Sequence, residues 1–294
     1  MAKADYPLLL TPHLAERIWG GSLLGQGIGE AWDLSVHPNG PARVANGALQ
    51  GASLSEVAAT RAADFGGPIE LLAKRLDCAQ DLSVQVHPKQ GDPKTESWVV
   101  LHADPGAGVF HGFVRPVERE EVKKAALDGS LPKLMRFVPV SEGDCIFVPS
   151  GTLHAIGGGL LLFELQQSAD TTYRLFDWGR GRELHLDQGL ACTDLTATEA
   201  LSRPRILEPA RTRLVECEHF FVDRVELDGA QLTLDPAGRW IAVLALHGQA
   251  RLGDLDLMPG ATAMIPAAAG PTTLAASGSG SLLAYGPGQP HGIE

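Results

Sequence analysis

The chain has 294 residues, of which 44% are hydrophobic and 20% charged, so it can bury one large core or two smaller ones and is not a disordered chain. The formal net charge of -11 at pH 7 argues against broad nucleic-acid binding, although a few local cations would suffice for a small phosphorylated substrate. The longest stretch without Asp, Glu, Lys or Arg, residues 257–293, is broken by Gly and Pro, which argues against a membrane span.

The cysteines and the first residues indicate the cellular compartment. The four cysteines, at positions 78, 145, 192 and 217, lie far apart and form no CxxC pair, which favours free thiols over a disulfide scaffold. The opening MAKADYPLLLTP has an apolar run too short for a signal peptide. We expect a soluble cytoplasmic protein that acts as a monomer or homodimer without nucleic-acid or membrane partners.

Short apolar runs bounded by Gly, Pro, Asn or Asp predict strands along most of the chain. In chain order these runs are DLSVQVHP (81–88), SWVVL (97–101), DCIFVPSG (144–151), LLLFELQQ (160–167), HFFVDRVEL (219–227), WIAVLALHG (240–248) and LLAYGPG (282–288).

Two segments have helical patterns instead. Residues 52–63 carry apolar side chains at roughly helical spacing. Residues 115–137 place Pro116 in a first turn, followed by three glutamates and then two lysines, the order that the helix dipole favours. Gly129 and Pro132 should split this second segment into two short helices.

A weak internal repeat indicates two domains of one design. Gly143-DCIFV-Pro149 in the first half resembles Gly260-ATAMI-Pro266 in the second, and strands precede each copy. Two β-barrels in tandem would explain this, with a boundary near residues 196–213 where two prolines interrupt the pattern. We therefore predict domains at residues 1–200, including the helical segments near 52–63 and 115–137, and at residues 205–294.

The first half holds four potential metal ligands. Gln85 and His87 are two residues apart on a predicted strand and point to the same face. Glu96 follows a turn, and His154 stands at the end of GDCIFVPSGTLH. Two imidazoles, a carboxylate and an amide oxygen form a mixed nitrogen and oxygen site that suits zinc and is compatible with iron, manganese or cobalt.

Each of these residues also has an ordinary structural explanation, and the prediction rests on their conjunction. Gln85 alone could be a polar group satisfied inside a barrel, and His87 before Pro88 could simply end a strand. However, Gly143, Pro149, Gly151 and His154 reproduce the spacing of the second cupin motif without its terminal Asn. The first cupin motif is less faithful, because Gln85 replaces a His and Glu96 lies farther away. The predicted fold class is thus mostly β, with tandem cupin (jelly-roll) barrels and a small helical portion.

Several blocks of the sequence resemble type I phosphomannose isomerases, in particular the short bacterial form. They are ERIWGG (16–21), GEAWDLSVHPNG (29–40), LLAKRLDCAQDLSVQVHP (71–88), KTESW (94–98), VPSGTLHAIGGG (148–159) and ELQQSADTTYRLFDWGR (164–180). The resemblance covers most of residues 10–190 and is loose beyond about residue 213. It implies a metal-dependent enzyme of carbohydrate metabolism that interconverts mannose 6-phosphate and fructose 6-phosphate through a cis-enediol. It also implies that zinc is bound by Gln85, His87, Glu96 and His154.

The resemblance also implies roles for residues outside the metal site. It places a catalytic Arg at Arg174, an active-site acid at Asp170, a phosphate-contacting cation at Arg180 and an active-site Lys at Lys94. The alternative for the segment 170–180 is a surface ion-pair network. Ser83 shares a strand face with Gln85 and His87 and is a candidate for a phosphate contact.

The sequence leaves other questions open. Lys94, His87, Asp170 and a water on the metal are all candidates for the general base. Three alanines follow Pro266 where the first half has its motif His, so we expect the C-terminal barrel to be degenerate and to bind no metal. The alternative functions are an iron dioxygenase, an isomerase or epimerase of another sugar, and a non-catalytic sugar-binding cupin.

Overall fold

A computed structural model describes residues 1–196 and 202–288, so part of the predicted boundary near 196–213 lies outside the described residues. The strands in chain order are β1 Leu8–Thr11, β2 His13–Glu16, β3 Ile28–Leu34, β4 Arg43–Val44, β5 Leu71–Cys78, β6 Val84–Val86, β7 Glu96–Ala103, β8 Gly108–Phe113, β9 Met135–Pro139, β10 Cys145–Val148, β11 His154–Ile156, β12 Leu160–Gln167, β13 Tyr173–Phe176, β14 Arg205–Glu208, β15 Arg211–Glu216, β16 Phe220–Asp228, β17 Gln231–Leu234, β18 Ile241–His247, β19 Ala250–Leu252, β20 Leu255–Leu257, β21 Thr262–Ile265, β22 Thr272–Ala276 and β23 Ser279–Pro287. The α-helices are α1 Leu54–Arg61, α2 Arg119–Asp128 and α3 Leu186–Cys192, and short 3-10 helices cover Gly47–Leu49, Ala62–Phe65, Leu131–Lys133 and Ala267–Ala269.

The first helical segment starts at a capping box. The Ser53 hydroxyl accepts the Glu56 N–H at 3.2 Å, and the Glu56 carboxylate accepts the Ser53 N–H at 3.0 Å. Two of the N–H groups that a helix start leaves unpaired are thereby satisfied. The helix α1 lies within the predicted residues 52–63.

The second helical segment is shorter than its sequence pattern predicts. Pro116 lies before α2 rather than in its first turn, because Glu118 is extended and the Val117 N–H donates to the Leu195 carbonyl. Gly129 ends α2 with a φ of 81°, and Pro132 lies in the following 3-10 helix, so the expected split occurs. The prediction of helix over residues 135–137 was wrong, because these residues form part of β9 and pair with β8.

The described chain divides into two compact units. Unit 1 comprises residues 1–14, 32–73 and those from Arg203 onwards, and unit 2 comprises residues 15–31 and 74–202. The predicted domains divide the chain once, at residues 200–205, whereas each unit combines separate segments. The reason is that β1 and β4 belong to the same sheet as β21 in the C-terminal segment. The functional division into a catalytic and a degenerate domain stays a prediction.

Unit 2 contains the site and is built from two facing sheets. One sheet has the order β10-β7-β12-β5-β3-β2, and the other has the order β13-β6-β11-β8-β9. Apolar side chains such as Trp98, Ile146 and Ile156 fill part of the space inside. On the other face of the second sheet, Val84, Val86 and Leu175 pack with apolar residues of α2 and α3. The helices therefore cover the outside of the sheet and leave its inner face to the site.

Unit 1 repeats this strand arrangement. Its large sheet has the order β14-β15-β16-β23-β18-β21-β1-β4, and its small sheet has the order β17-β22-β19-β20. The series β10-β7-β12 in unit 2 thus corresponds to β21-β18-β23 in unit 1. The interior of unit 1 holds an apolar cluster that includes Leu234, Leu252, Leu257 and Leu274, all fully buried.

The repeated Gly turn seen in the sequence has the same structure in both units. Gly143 and Gly260 have φ values of 94° and 83°, in the left-handed region that favours glycine. The Gly143 N–H donates to the Val100 carbonyl, and the Gly260 N–H donates to the Ala245 carbonyl, each at 2.8 Å. The chain is mostly β with two units of one design and a small helical portion, which confirms the predicted fold class.

Two further expectations concern cysteines and membranes. All four cysteines lie in the described part of the chain and are free thiols. Across residues 1–196 and 202–288, every helix is too short or too polar to cross a membrane.

Candidate active site

The inner face of unit 2 brings residues from four strands into one row. Gln85 on β6 pairs with Arg174 on β13 and with His154 on β11, and His154 also pairs with His111 on β8. Paired residues of neighbouring strands point to the same face of a sheet. This register therefore places the guanidinium, amide and imidazole groups side by side along the interior.

The predicted ligands His87, Glu96 and His154 converge in the interior of unit 2. One ligand atom from each lies within 4.8 Å of the other two. The His87 Nε2 is 3.5 Å from one Glu96 oxygen, and the His154 Nε2 is 3.3 Å from the other. All three side chains are 1% exposed. Among the described residues, no other group of three His, Cys, Asp or Glu side chains has this geometry.

The donor atoms of this cluster fit a divalent cation. The His87 Nδ1 lies 2.9 Å from the Thr171 carbonyl, and the His154 Nδ1 lies 2.8 Å from the Thr152 carbonyl. Each carbonyl accepts a proton on Nδ1, so each Nε2 is left with its lone pair facing Glu96. Both oxygens of Glu96 are buried; Oε2 contacts the Lys94 ammonium, whereas Oε1 has no hydrogen-bond partner and faces the His154 Nε2. A cation would satisfy this unpaired oxygen and both imidazoles together.

Gln85, the fourth predicted ligand, lies next to these three side chains. Its Nε2 is 3.4 Å from the His154 Nε2, and its Oε1 accepts a hydrogen bond from the Ser83 hydroxyl at 3.2 Å. Rotation of the amide would exchange the two atoms and turn the oxygen toward the cluster. Ser83 is buried and contacts Gln85, so the structure brings both predicted residues to this site.

A lysine balances the charge of the cluster. The Lys94 Nζ lies 2.6 Å from a Glu96 oxygen and 3.4 Å from the His87 Nε2. Burial alone would lower the pKa of Lys94, but Glu164 and Glu96 raise it far above its usual value. Burial would likewise raise the pKa of Glu96, but Lys94, His87 and His154 hold it well below its usual value. The lysine is therefore an ammonium and the glutamate a carboxylate.

For His154 the effect of burial prevails over that of the neighbouring carboxylate. Burial lowers the pKa of this imidazole to about 3, against the attraction of Glu96, and His87 and Lys94 lower it further. His154 is therefore neutral near pH 7, which is the form that can bind a metal.

Sequence reasoning missed a second buried ion pair beside the first. The Glu164 carboxylate lies 3.5 Å from the Lys74 Nζ and accepts a hydrogen bond from the Trp98 indole at 3.2 Å. Glu164 also pairs with Trp98 across β12 and β7, so it faces the interior. Lys74 lies within the apolar run LLAKRLDC and Glu164 within LLLFELQQ. Because charged side chains are rarely buried without a partner, these two positions could have predicted an ion pair.

Arg174 pairs with Gln85 across β13 and β6, and its guanidinium is only partly hydrogen-bonded. Its Nη1 donates to the Glu183 carbonyl at 2.9 Å, whereas its Nε is buried without a hydrogen-bond partner. Burial lowers its pKa, with a further contribution from the nearby Arg182. His185 braces the backbone of Arg174 by two hydrogen bonds. A guanidinium donor without a partner at this place is available to a ligand.

The structure places Asp170 and Arg180 outside the metal cluster. Asp170 is exposed in the loop between β12 and β13. Arg180 donates to the Asp81 carbonyl at 2.8 Å and to the Asp177 carboxylate at 2.9 Å. It also closes the turn that contains Trp178. The φ of Trp178 is 55°, a strained value for this residue, and its indole N–H donates to the Leu82 carbonyl at 2.7 Å. Arg180 therefore has a structural function whatever else it contacts.

Comparisons with known proteins identify the family of the chain. Residues 22–107 match the family model of the type I phosphomannose isomerase catalytic domain. Mannose-6-phosphate isomerase ManA of Bacillus subtilis is 34% identical over 276 residues, which cover 84% of this chain and 87% of the relative.

Solved structures show the same fold. The mannose 6-phosphate isomerase of Bacillus subtilis superposes with a TM-score of 0.87 at 28% identity, covering 96% of this chain and 99% of that chain. A zinc-bound mannose 6-phosphate isomerase superposes with a TM-score of 0.78 at 18% identity, covering 96% of this chain and all of that chain. The similarity extends over both units and supports the cupin assignment. The chain belongs to the type I phosphomannose isomerase family.

Proposed function

We propose that the chain is a metal-dependent aldose–ketose isomerase that interconverts mannose 6-phosphate and fructose 6-phosphate through a cis-enediol. The observation that carries this proposal is the buried convergence of His87, Glu96 and His154, in which both imidazole Nε2 atoms face the Glu96 carboxylate, in a chain of this family. A non-catalytic sugar-binding cupin would not need to keep these three ligands together with Lys94.

The proposed metal is zinc, one ion per chain, held by His87, Glu96 and His154 with Gln85 beside them. A similar fold is described with zinc bound, and two imidazoles with one carboxylate suit this ion. When bound, the ion would act as a Lewis acid that draws electron density from the substrate oxygens. The remaining polar groups of the chain would have to bind the sugar and move its proton.

Lys94 and Arg174 would stabilise the negative charge that develops on the sugar oxygens. Lys94 is held as an ammonium by two buried carboxylates, so it is suited to donate rather than to accept a proton. Arg174 offers its unpartnered Nε from the neighbouring strand, and preorganised donors of this kind stabilise developing charge most strongly in a dry site. Asp170 remains a candidate for the acid or base of the proton transfer.

The phosphate would bind away from the reacting carbons. Arg180 uses three donor atoms on Asp81 and Asp177, which leaves two N–H groups for a phosphate oxygen. Ser83 is the other proposed contact, because its hydroxyl lies beside Gln85. Binding energy from a remote phosphate anchors the substrate for the chemical step.

The cellular setting belongs to the same proposal. Four free thiols are compatible with the reducing cytoplasm, and a sugar phosphate is the proposed partner of the chain. No requirement for a nucleic acid or a membrane enters this function, and a monomer or a homodimer would serve it equally.

A coupled assay of mannose 6-phosphate isomerisation on zinc-loaded and chelated protein tests the function. Activity that disappears with the chelator and returns with one zinc per chain supports the proposal. His154→Gln should lose both zinc and activity, whereas the matched change at an exposed imidazole, His102→Gln, should preserve both, since His102 is half exposed and contacts Asp104. If the protein prefers another sugar phosphate, or consumes oxygen without isomerising the sugar, the proposed function is wrong and one of the other cupin activities takes its place.

A further inference from the structure

The loop between β12 and β13, residues 168–172, supplies the group that orients His87. The Thr171 carbonyl lies 2.9 Å from the His87 Nδ1, and the Thr172 hydroxyl lies 3.5 Å from the same atom. Since the ring turns about its bond to Cβ, a fixed acceptor on Nδ1 also fixes the direction of Nε2. The position of this loop therefore decides whether the His87 Nε2 faces Glu96.

A carboxylate outside the metal cluster holds this loop in place. One oxygen of Asp92 accepts hydrogen bonds from the Thr171 hydroxyl at 2.7 Å, the Thr171 N–H at 3.2 Å and the Asp170 N–H at 3.3 Å. Asp92 lies in the segment 88–95 that joins His87 to Glu96. Its carboxylate thus links the segment that follows His87 to the loop that orients the His87 imidazole.

The other end of the loop has a separate anchor. The Gln166 amide donates to the carbonyls of Gln167 and Ala169, at 2.8 and 3.2 Å, from a fully buried position at the end of β12. Asp92 acts on the part of the loop nearest to His87, at residues 170 and 171. Loss of Asp92 would release this part while Gln166 keeps the preceding part attached.

We propose that Asp92 is a positioning residue that sets the orientation of the His87 imidazole through the Thr171 carbonyl. The inference rests on the proposed metal site, since its effect is on a metal ligand. Removal of groups that orient metal-bound imidazoles commonly costs 10–100-fold in metal affinity. Asp92 is one hydrogen bond farther from the ion than the Thr171 carbonyl, so we expect a loss at the lower end of this range, about tenfold in zinc affinity, for Asp92→Ala.

The experiment measures zinc affinity by competition with a chelator in Asp92→Ala, Asp92→Asn and the control Asp128→Ala. Asp128 is a matched control, because its carboxylate also accepts a backbone N–H and a hydroxyl, both of Ser130, at the end of α2. Asp92→Asn keeps one acceptor oxygen and should lose less affinity than Asp92→Ala. The visible absorption of Co²⁺ in place of zinc should change in Asp92→Ala and stay that of the parent protein in Asp128→Ala.

A second substitution keeps the test informative if Asp92→Ala fails to fold. Thr171→Val removes the hydroxyl that contacts Asp92 but keeps the carbonyl that contacts His87, so zinc affinity should fall less than in Asp92→Ala. Combined with Asp92→Asn, its effect should be less than additive, because both changes weaken the same contact between Asp92 and Thr171. Zinc affinity that stays within twofold of the parent in all Asp92 and Thr171 variants, or an equal loss in Asp128→Ala, overturns the inference.

The same measurements separate this inference from the proposed function. If the parent protein binds zinc and His87→Ala loses it while the Asp92 variants keep it, only the positioning role fails. If the parent protein binds no zinc, the proposed metal site fails, and the role of Asp92 fails with it.

Discussion

At the scale of single residues, the site is a balance of opposite charges that are buried together. Lys94 and Glu96 are in contact, and both are almost fully buried. Removing one partner of a buried ion pair generally costs about 3–5 kcal/mol, because the other charge is left without compensation. The site also holds a neutral His154 and a buried Glu96 carboxylate, which are ligand types that a divalent cation binds.

Arg174→Ala should lower the turnover of the zinc-loaded protein while leaving zinc content unchanged. Loss of one preorganised donor to a developing oxyanion costs about 10²–10³-fold in kcat. Steady-state kinetics with metal analysis measures both quantities. Arg182→Ala is the control, because Arg182 lies nearby but binds the Asp177 carboxylate. Unchanged kcat in Arg174→Ala would remove this residue from the mechanism.

The stability of the metal-free protein should fall as the pH decreases below about 6.5. The folded-state pKa of His154 is about 3, whereas an unfolded imidazole has a value of 6.5, so between these values only the unfolded state takes up this proton. Each pH unit in that window would lower the free energy of unfolding by up to about 1.4 kcal/mol. Urea unfolding with a chelator at pH 7.5, 6.5 and 5.5 measures this slope. His154→Gln should show a smaller slope, and an equal slope would assign the pH dependence to other groups.

At the scale of elements, patterns within one strand or turn were predictable, and pairings between distant segments were not. The alternation in DLSVQVHP and the spacing around Pro149 identified Gln85, His87 and His154, because both features are local. The contact between Asp92 and Thr171 joins residues 79 positions apart, and no local pattern encodes it. Strand pairing also decided that residues 135–137 extend along β8, although their sequence continues a helical pattern.

The turn at residues 177–180 should prove structural as well as functional. Arg180→Ala removes the donors to Asp81 and Asp177 and leaves the strained Trp178 backbone with less support, so we expect a loss of about 1–3 kcal/mol in stability. If Arg180 also contacts phosphate, the KM for mannose 6-phosphate should rise several-fold in the same variant. Thermal unfolding and steady-state kinetics measure the two effects. The control Arg182→Ala should raise KM less than Arg180→Ala does. If KM is unchanged in Arg180→Ala, Arg180 has only a structural role.

At the scale of the whole molecule, the two units share a strand order but have different interiors. His154 is the first residue of β11, and the corresponding strand of unit 1, β22, begins with Thr272, whose pairing partner is Leu234. Leucines fill the space that imidazoles and carboxylates occupy in unit 2. The weak Gly–Pro repeat in the sequence therefore reported the shared architecture, whereas the absence of a metal site from the C-terminal barrel, expected from the three alanines after Pro266, stays a prediction.

A fragment of residues 205–294 should not fold cooperatively by itself. It lacks β1, β4 and α1, and without β1 the backbone groups of β21 would be left unpaired at a sheet edge. Far-ultraviolet circular dichroism and thermal unfolding of the fragment check this. The full chain is the control, and a fragment that unfolds in one sharp transition with full strand content would contradict the division of the chain into these units.

The pairing of Leu10 with Thr262 also constrains the order of events during synthesis on the ribosome. The strand β1 can pair only after β21 has been made, so the large sheet of unit 1 stays incomplete until then. Residues 74–202 emerge as one uninterrupted stretch in the meantime, and most strands of unit 2 can pair before the chain is released. A nascent chain stalled with unit 2 outside the ribosome and β21 not yet made should thus resist protease across 74–196 while residues 1–14 remain open to cleavage.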